Sequence, residues 1–284
     1  ESWEVSGLVD DESVVTNGFL AENNLNELLE IYLTDLVGEE NYEKYGLGFP
    51  LLIKYIDAQD NLSVQVHPDD SYAAAHPGVQ GKTECWYILD ARQGAELICG
   101  LSREYSAAEL RRAVQDGSIA DCLRRISEKA GDFIYIPAGT VHAICGGCYL
   151  AEIQETSDIT YRIYDYGRPG FDGKPRQLHT ELAMDAIDYT LAADYRTHYE
   201  HRTNACVELV RDPHFITSLY ELTEKVEVSM EGKGEFLVVI CTDGMGSVGG
   251  VAVKAGEAVL VDSSEVSVAL EPADTEVKFL TTHV

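Results

Sequence analysis

The stretch GDFIYIPAGTVH, running from Gly131 to His142, decides how this chain is read. Phe133 to Ile136 is an apolar, β-prone run. Pro137-Ala138-Gly139 interrupts it, because proline cannot donate to a strand ladder and glycine takes the tight turn that follows. His142 then opens the next strand. A corner of this kind aims one imidazole inward from a β wall, and neutral imidazole is the commonest metal ligand. The stretch predicts a mainly β protein and suits a metal site at His142; taken alone, it also fits an ordinary hairpin.

Working outward, Asn61 to His67 alternates strictly, with Leu62, Val64 and Val66 on one face and Ser63, Gln65 and His67 on the other. Polar groups lined along an interior face are costly to bury unless they bind something. Gln65 and His67, two residues apart, reach one ion together; taken alone, they also fit a solvent-exposed polar face. Lys82 and Glu84 share a face ahead of the apolar strand Cys85 to Leu89, and Glu84 adds a hard oxygen donor. Alone they also fit a salt-bridged edge pair. Together Gln65, His67, Glu84 and His142 make a mixed nitrogen and oxygen set. It suits Zn²⁺ with an open position, and Fe²⁺, Mn²⁺ or Co²⁺ as well. Ala151 to Thr156 alternates again, with Glu152 and Gln154 on one face.

The 49 acidic residues outnumber 21 basic ones, for a net charge of −28. This argues against nucleic acid as a partner, since it needs a basic footprint. An anionic ligand is repelled globally and must be captured by a local cluster. Arg162, Arg168, Lys174 and Arg176 form one, whereas no Lys or Arg precedes Lys44. Arg162 also fits an ion pair with Asp158 or Asp165. The seven cysteines, an odd number, argue against a disulfide framework. Cys145-Gly146-Gly147-Cys148 reads as a two-residue hairpin turn with flanking thiols. No apolar run approaches a membrane span and no charged-then-apolar leader opens the chain, so a cytoplasmic protein without a membrane partner is expected. The chain begins at Glu1 without Met, inside what reads as structure, and preceding residues are expected.

Asn24 to Leu36 carries leucines at helical spacing, with a capping box from Asn24 and Glu27 and a stop at Gly38. Ser106 with Glu109 opens a second helix that ends near Gly117. Ser118 with Asp121 opens a third, with Ile119, Cys122, Leu123 and Ile126 on one face. A degenerate repeat relates Ala130–Ile144 to Ala255–Ala269, and GKTECWYIL (81–89) to GKGEFLVVI (232–240). The expected organisation is a barrel over 1–204 with a helical insert at 102–129, then a smaller degenerate β domain over 205–284. The second copy has Ser267 where the first has His142, so one metal ion per chain is expected.

The GDFIYIPAGTVH stretch resembles the second motif of the cupin superfamily. The ordered series NLSVQVHPDD, GKTECWYIL, GDFIYIPAGTVHAI, AEIQETSDITYRIYDYGR and DGKPRQLH resembles the type I phosphomannose isomerases of the shorter bacterial kind. The likeness covers about residues 1 to 180 well. It implies a metal-dependent jelly-roll barrel that interconverts mannose 6-phosphate and fructose 6-phosphate through a cis-enediol, with a sugar phosphate as its small-molecule partner. Carried over by motif, it implies Gln65, His67, Glu84 and His142 as metal ligands. It also implies Lys82 in the substrate pocket, Arg162 in catalysis, Arg168 near the phosphate and Glu152 near the substrate carbons.

Under that reading Glu152 or Lys82 moves the protons, and Ser63, Arg168 and Lys174 are candidates to hold the phosphate. Two other readings stay open. An iron-dependent cupin dioxygenase expects two or three His and usually one carboxylate, without the basic cluster. A non-catalytic sugar-phosphate sensor expects the metal set or Arg162 to be missing.

Overall fold

The computed structural model describes residues 1–170, 173–230 and 235–284. Asp172 of the DGKPRQLH stretch, and Gly232, Lys233 and Gly234 of the second repeat copy, lie outside the described residues. Two compact units emerge: residues 56–197 with Glu1, and residues 2–55 with 198–284.

In the second unit, β1 (Ser2–Val5) pairs antiparallel with residues 53–55 of β2 (Leu51–Asp57). Between them lie α1 (Leu25–Tyr32), α2 (Thr34–Val37) and α3 (Glu39–Tyr45). The expected capping box closes α1: Asn24 accepts from the Glu27 amide and Glu27 from the Asn24 amide. The single helix expected over 24–36 is two, because Leu33 takes φ +50° and breaks the run before Thr34.

The first unit holds β3 (Val64–Val66), α4 (Asp70–Ala75), β4 (Glu84–Ala91), β5 (Glu96–Leu101), α5 (Ala107–Asp116) and β6 (Leu123–Ser127). It continues through β7 (Phe133–Ile136), β8 (His142–Ile144), β9 (Cys148–Glu155), β10 (Tyr161–Tyr164), α6 (Thr180–Ala186) and β11 (Arg196–Thr197). One sheet carries β9-β4-β7-β11 in order and the other β10-β3-β8-β5-β6. Nearly every connection carries the chain from one sheet to the other, the jelly-roll pattern. The sheets do not close into one hydrogen-bonded barrel among the described residues, so the expected barrel is an open two-sheet jelly roll.

Between the sheets, Trp86, Ile88, Leu97, Ile134, Ile136, Ile144 and Leu150 form one core. Each such side chain contributes about 1.5–3 kcal/mol relative to exposure. The outer face of the second sheet is covered by α5 and α6, with Leu110, Ala113, Ala183 and Met184 against Val64, Val66, Ile98 and Ala143. β3 therefore buries Val64 and Val66 outward under the helices and turns the half-buried Gln65 inward.

The expected second helix is present as α5, with a capping box at Ser106 and a left-handed Gly117 at its end. The expected third helix shrinks to a single 3-10 turn, Ile119–Cys122. Ser118 gives its hydroxyl and amide to Asp116 rather than capping a helix, residues 119–122 make one tight turn, and Leu123 onward pairs with β5 as a strand. The insert is thus only partly helical. The Gly146-Gly147 turn does not close a hairpin either, since β8 and β9 belong to different sheets. It carries the chain between them, and burial pushes the Cys145 and Cys148 thiols up, away from the thiolate form.

The C-terminal part of the second unit is one sheet of β12 (Cys206–Arg211), β13 (Ile216–Leu222), β14 (Val226–Ser229), β15 (Leu237–Val248), β16 (Val251–Lys254), β17 (Ala258–Val261) and β18 (Ser267–His283). The order is β12-β13-β18-β15-β16, with β14 on β18 and β17 on β15. β17, its corner and β18 start at the positions the repeat aligns with β7, its corner and β8. Ser267 is exposed where His142 is buried.

Candidate active site

Register assembles the site. Gln65 stands opposite His142 and also opposite Arg162, Glu84 opposite Gln154, and Trp86 opposite Glu152. Opposed residues share a face of the sheet, and Trp86 already faces the inter-sheet core. One end of that interior is therefore apolar and the other polar.

The local sequence pulls these strands together. Gly139 takes φ +85°, and a Cβ there would stand 3.0 Å from the Asp188 amide nitrogen. Its own N–H donates to the His67 carbonyl at 2.8 Å, tying the PAG corner to the strand end that carries His67. The Lys82 amide donates to Pro68 O at 3.1 Å, and Gly81 packs against Asp70 where a Cβ would collide.

His67, Glu84 and His142 are each about 1% exposed, and their ligand atoms lie within 4.8 Å of one another. His67 Nε2 is 3.5 Å from Glu84 Oε2, and His142 Nε2 is 3.2 Å from Glu84 Oε1. Each imidazole has its Nδ1 against a main-chain carbonyl, Ile159 O at 2.7 Å for His67 and Thr140 O at 2.9 Å for His142. Donation from Nδ1 fixes the tautomer and turns the Nε2 lone pair toward Glu84. Both Glu84 oxygens are buried; Oε1 faces the bare Nε2 of His142, and the Lys82 ammonium reaches Oε2. Lone pairs converging in a dry interior are costly unless a cation lies among them. The residues therefore fit a divalent ion.

Lys82 Nζ meets this charge in part, 2.9 Å from Glu84 Oε2 and 3.2 Å from His67 Nε2. Burial works to lower the pKa of the lysine, but Glu84 and Glu152 outweigh it and the net shift is upward. Gln65 Nε2 sits 3.3 Å from His142 Nε2, with Gln65 Oε1 on the Ser63 hydroxyl at 3.3 Å. Exchanging the amide O and N brings the oxygen to the cluster at no loss, because a hydroxyl both donates and accepts.

Arg162 joins the same network. Its Nε–H donates to Ser63 Oγ at 3.4 Å and its Nη1 to Gln177 O at 3.1 Å. Asp165, the alternative partner considered for it, accepts instead from Arg168 and Arg176. Those bonds, Arg176 first, outweigh burial and hold the Asp165 carboxyl below the usual range. Burial and then Arg176 push the Arg162 pKa down; Asp165 opposes, and Arg168 adds to the fall. Arg162 thus stands half-buried within reach of two other guanidinium charges. Arg168 also donates to Asn61 O. Lys174 is exposed, and its carbonyl accepts from the Gly170 amide at 2.6 Å. Glu152 is buried and accepts from Trp86 Nε1–H at 3.0 Å.

Two neighbours escaped the sequence reading. Gln154 is fully buried, and its amide donates to Glu155 O and Ser157 O, holding the turn that leads to the Ile159 carbonyl on His67. Its parity with Glu152 was the available signal. His179 bonds to the main chain of Arg162, and only its place in the DGKPRQLH stretch marked it.

Residues 9–100 match the family described as phosphomannose isomerase type I, catalytic domain. GmuF of Bacillus subtilis (strain 168), named a probable mannose-6-phosphate isomerase, is 45% identical over 192 residues, 66% of this chain and 58% of GmuF. That alignment thus spans less than two thirds of the relative. The mannose-6-phosphate isomerase ManA of the same organism is 37% identical over 249 residues, 87% of this chain and 76% of ManA. The crystal structure of the Bacillus subtilis mannose 6-phosphate isomerase superposes with a TM-score of 0.87 at 31% identity, covering 99% of this chain and 88% of that one.

Proposed function

This chain belongs to the type I phosphomannose isomerase family, and we propose that it interconverts mannose 6-phosphate and fructose 6-phosphate in the cytoplasm. The observation that carries the reading is the buried His67, Glu84 and His142 set, linked through Gln65 and Ser63 to Arg162 beside a guanidinium cluster. Every candidate residue falls between Ser63 and Lys174, inside the proposed catalytic segment 1–204.

Gln65, His67, Glu84 and His142 would hold one divalent ion, Zn²⁺ by the chemistry of the donors. When bound it supplies Lewis-acid polarisation of the sugar oxygens. The remaining work falls to the chain. Isomerisation takes a proton from C2 and returns it to C1. Glu152, anchored by the Trp86 indole, is assigned that proton. Lys82, held as an ammonium between Glu84 and His67, is assigned to orienting the substrate oxygens. Arg162 offsets the negative charge that develops as the C2 proton leaves. Ser63, Arg168 and Lys174 are assigned to the phosphate, with the guanidinium suited to a bidentate contact.

The direct test is turnover of mannose 6-phosphate by the purified chain; its absence from metal-loaded protein overturns the assignment. One ion per chain is expected, because Ser267 replaces His142 and no group of potential ligands lies wholly within 205–284 among the described residues. Metal analysis of the loaded protein checks this, and a stoichiometry of two contradicts it.

A further inference from the structure

We propose that His179 positions Arg162 for the reaction by serving as the missing neighbour of an edge strand, an inference that rests on the isomerase reading above. β10 is the terminal strand of its sheet. The outward N–H and C=O groups of an edge strand have no ladder partner. At Arg162 they have one: its N–H donates to His179 Nδ1 at 3.1 Å, and its carbonyl accepts from the His179 N–H at 2.7 Å. One residue thus satisfies both groups, as the opposed residue of a further strand would. Two residues earlier, Gln177 O accepts from the Arg162 guanidinium. Residues 177–179 therefore fix the main chain and the charged end of Arg162 together, while Gln65 opposes it from β3.

His179 also departs from what its place in the chain favours. It is the N-cap of α6, where Ser, Thr, Asp or Asn would accept from the helix amides. Its side chain makes no such bond. A local rule broken beside a site marks a residue kept for another purpose.

The clamp needs Nδ1 as an acceptor, so it exists only with neutral imidazole. Facing His179 are the Arg162 guanidinium and the Tyr161 phenol from β10, with the Arg111–Glu181 ion pair joining α5 to α6. Burial first, then the charge of Arg162, holds the imidazole below its ordinary pKa. The clamp is therefore whole at neutral pH and opens in acid.

The test compares His179→Leu with His179→Asn, which keeps an acceptor oxygen near the Nδ1 position and does not titrate. His179→Leu is expected to lower kcat about ten- to a hundredfold, the cost of displacing a catalytic group by an ångström or less. KM, metal content and melting temperature are expected to stay near wild type. His179→Asn is expected to keep most of kcat and to lose part of the acid limb of the kcat profile. In an Arg162→Ala background, His179→Leu is expected to cost nothing further. A wild-type kcat in His179→Leu, a loss of the same size without Arg162, or equal losses in both variants overturns the proposal. The Arg162 amide resonance gives a readout independent of turnover. It is expected to shift with imidazole protonation in the wild type and to stay still in His179→Asn; a pH-independent wild-type signal overturns the clamp. Absence of turnover in the wild type instead overturns the isomerase reading.

Discussion

Stripping divalent ions from the protein is expected to abolish the interconversion of mannose 6-phosphate and fructose 6-phosphate, and His142→Ala is expected to leave a folded chain that holds no ion. The chain is expected to fold without an ion, because Lys82 meets the Glu84 carboxylate at 2.9 Å. That ammonium offsets the buried charge but cannot act as a Lewis acid at the substrate. Removing the His142 imidazole takes one of two nitrogen donors and leaves a gap beside the Trp86 ring, whose centroid lies 5.5 Å away. A loss of that kind costs about 1–3 kcal/mol, against a total stability of about 5–15 kcal/mol for a typical domain. Metal analysis, a melting curve and turnover before and after chelation check the three parts separately. Added Zn²⁺ or another divalent ion is expected to restore the wild type but not the variant. Full activity in a verified metal-free sample would remove the metal from the mechanism.

The strand, corner and strand around His142 were legible because proline and glycine punctuate a β run without ambiguity. The capping boxes at Asn24 and Ser106 were legible because their donors and acceptors are local. Ser118 misled for the same reason: its local signal is sound, but Asp116 takes the hydroxyl and β5 takes the strand that follows. Sheet membership is a long-range property, so the Gly146-Gly147 turn read as a hairpin when it joins two sheets. Gln65, His67, Glu84 and His142 were marked by alternation, spacing and the proline-glycine corner, whereas the roles of Lys82, Glu152, Arg162 and Arg168 came from the family resemblance. The carbonyls of Ile159 and Thr140 that turn the imidazoles were not marked, since every residue carries a carbonyl. The partner of Arg162 was open for a similar reason. Asp165 and Asp158 lie close in sequence, whereas Ser63 and Gln177 become neighbours only when β10 joins β3 and the chain returns toward α6.

Arg162→Ala is expected to reduce kcat by roughly two to three orders of magnitude, the range for losing one donor to a developing oxyanion, with little change in KM. The guanidinium sits at the end of the path that runs through Ser63 and Gln65 to His142, and in the proposed mechanism the substrate charge it meets forms as the C2 proton leaves. An interaction made in the transition state alone lowers the barrier without aiding ground-state binding. Its setting adds to the effect: the guanidinium is half-buried near Arg176 and Arg168, where a charge forming on the substrate is screened less than in water. Arg168→Ala is expected to behave differently. Arg168 is steadied by Asp165 and Asn61 O, and a phosphate carries its charge equally in both states. Its loss is expected mainly to raise KM, more so at low salt, where a chain of net charge −28 repels an anionic substrate most. Steady-state kinetics of the two variants at two ionic strengths separates the roles. An Arg162→Ala protein that raises KM alone would return Arg162 to a structural part, as the tie between β10 and the Gln177 carbonyl.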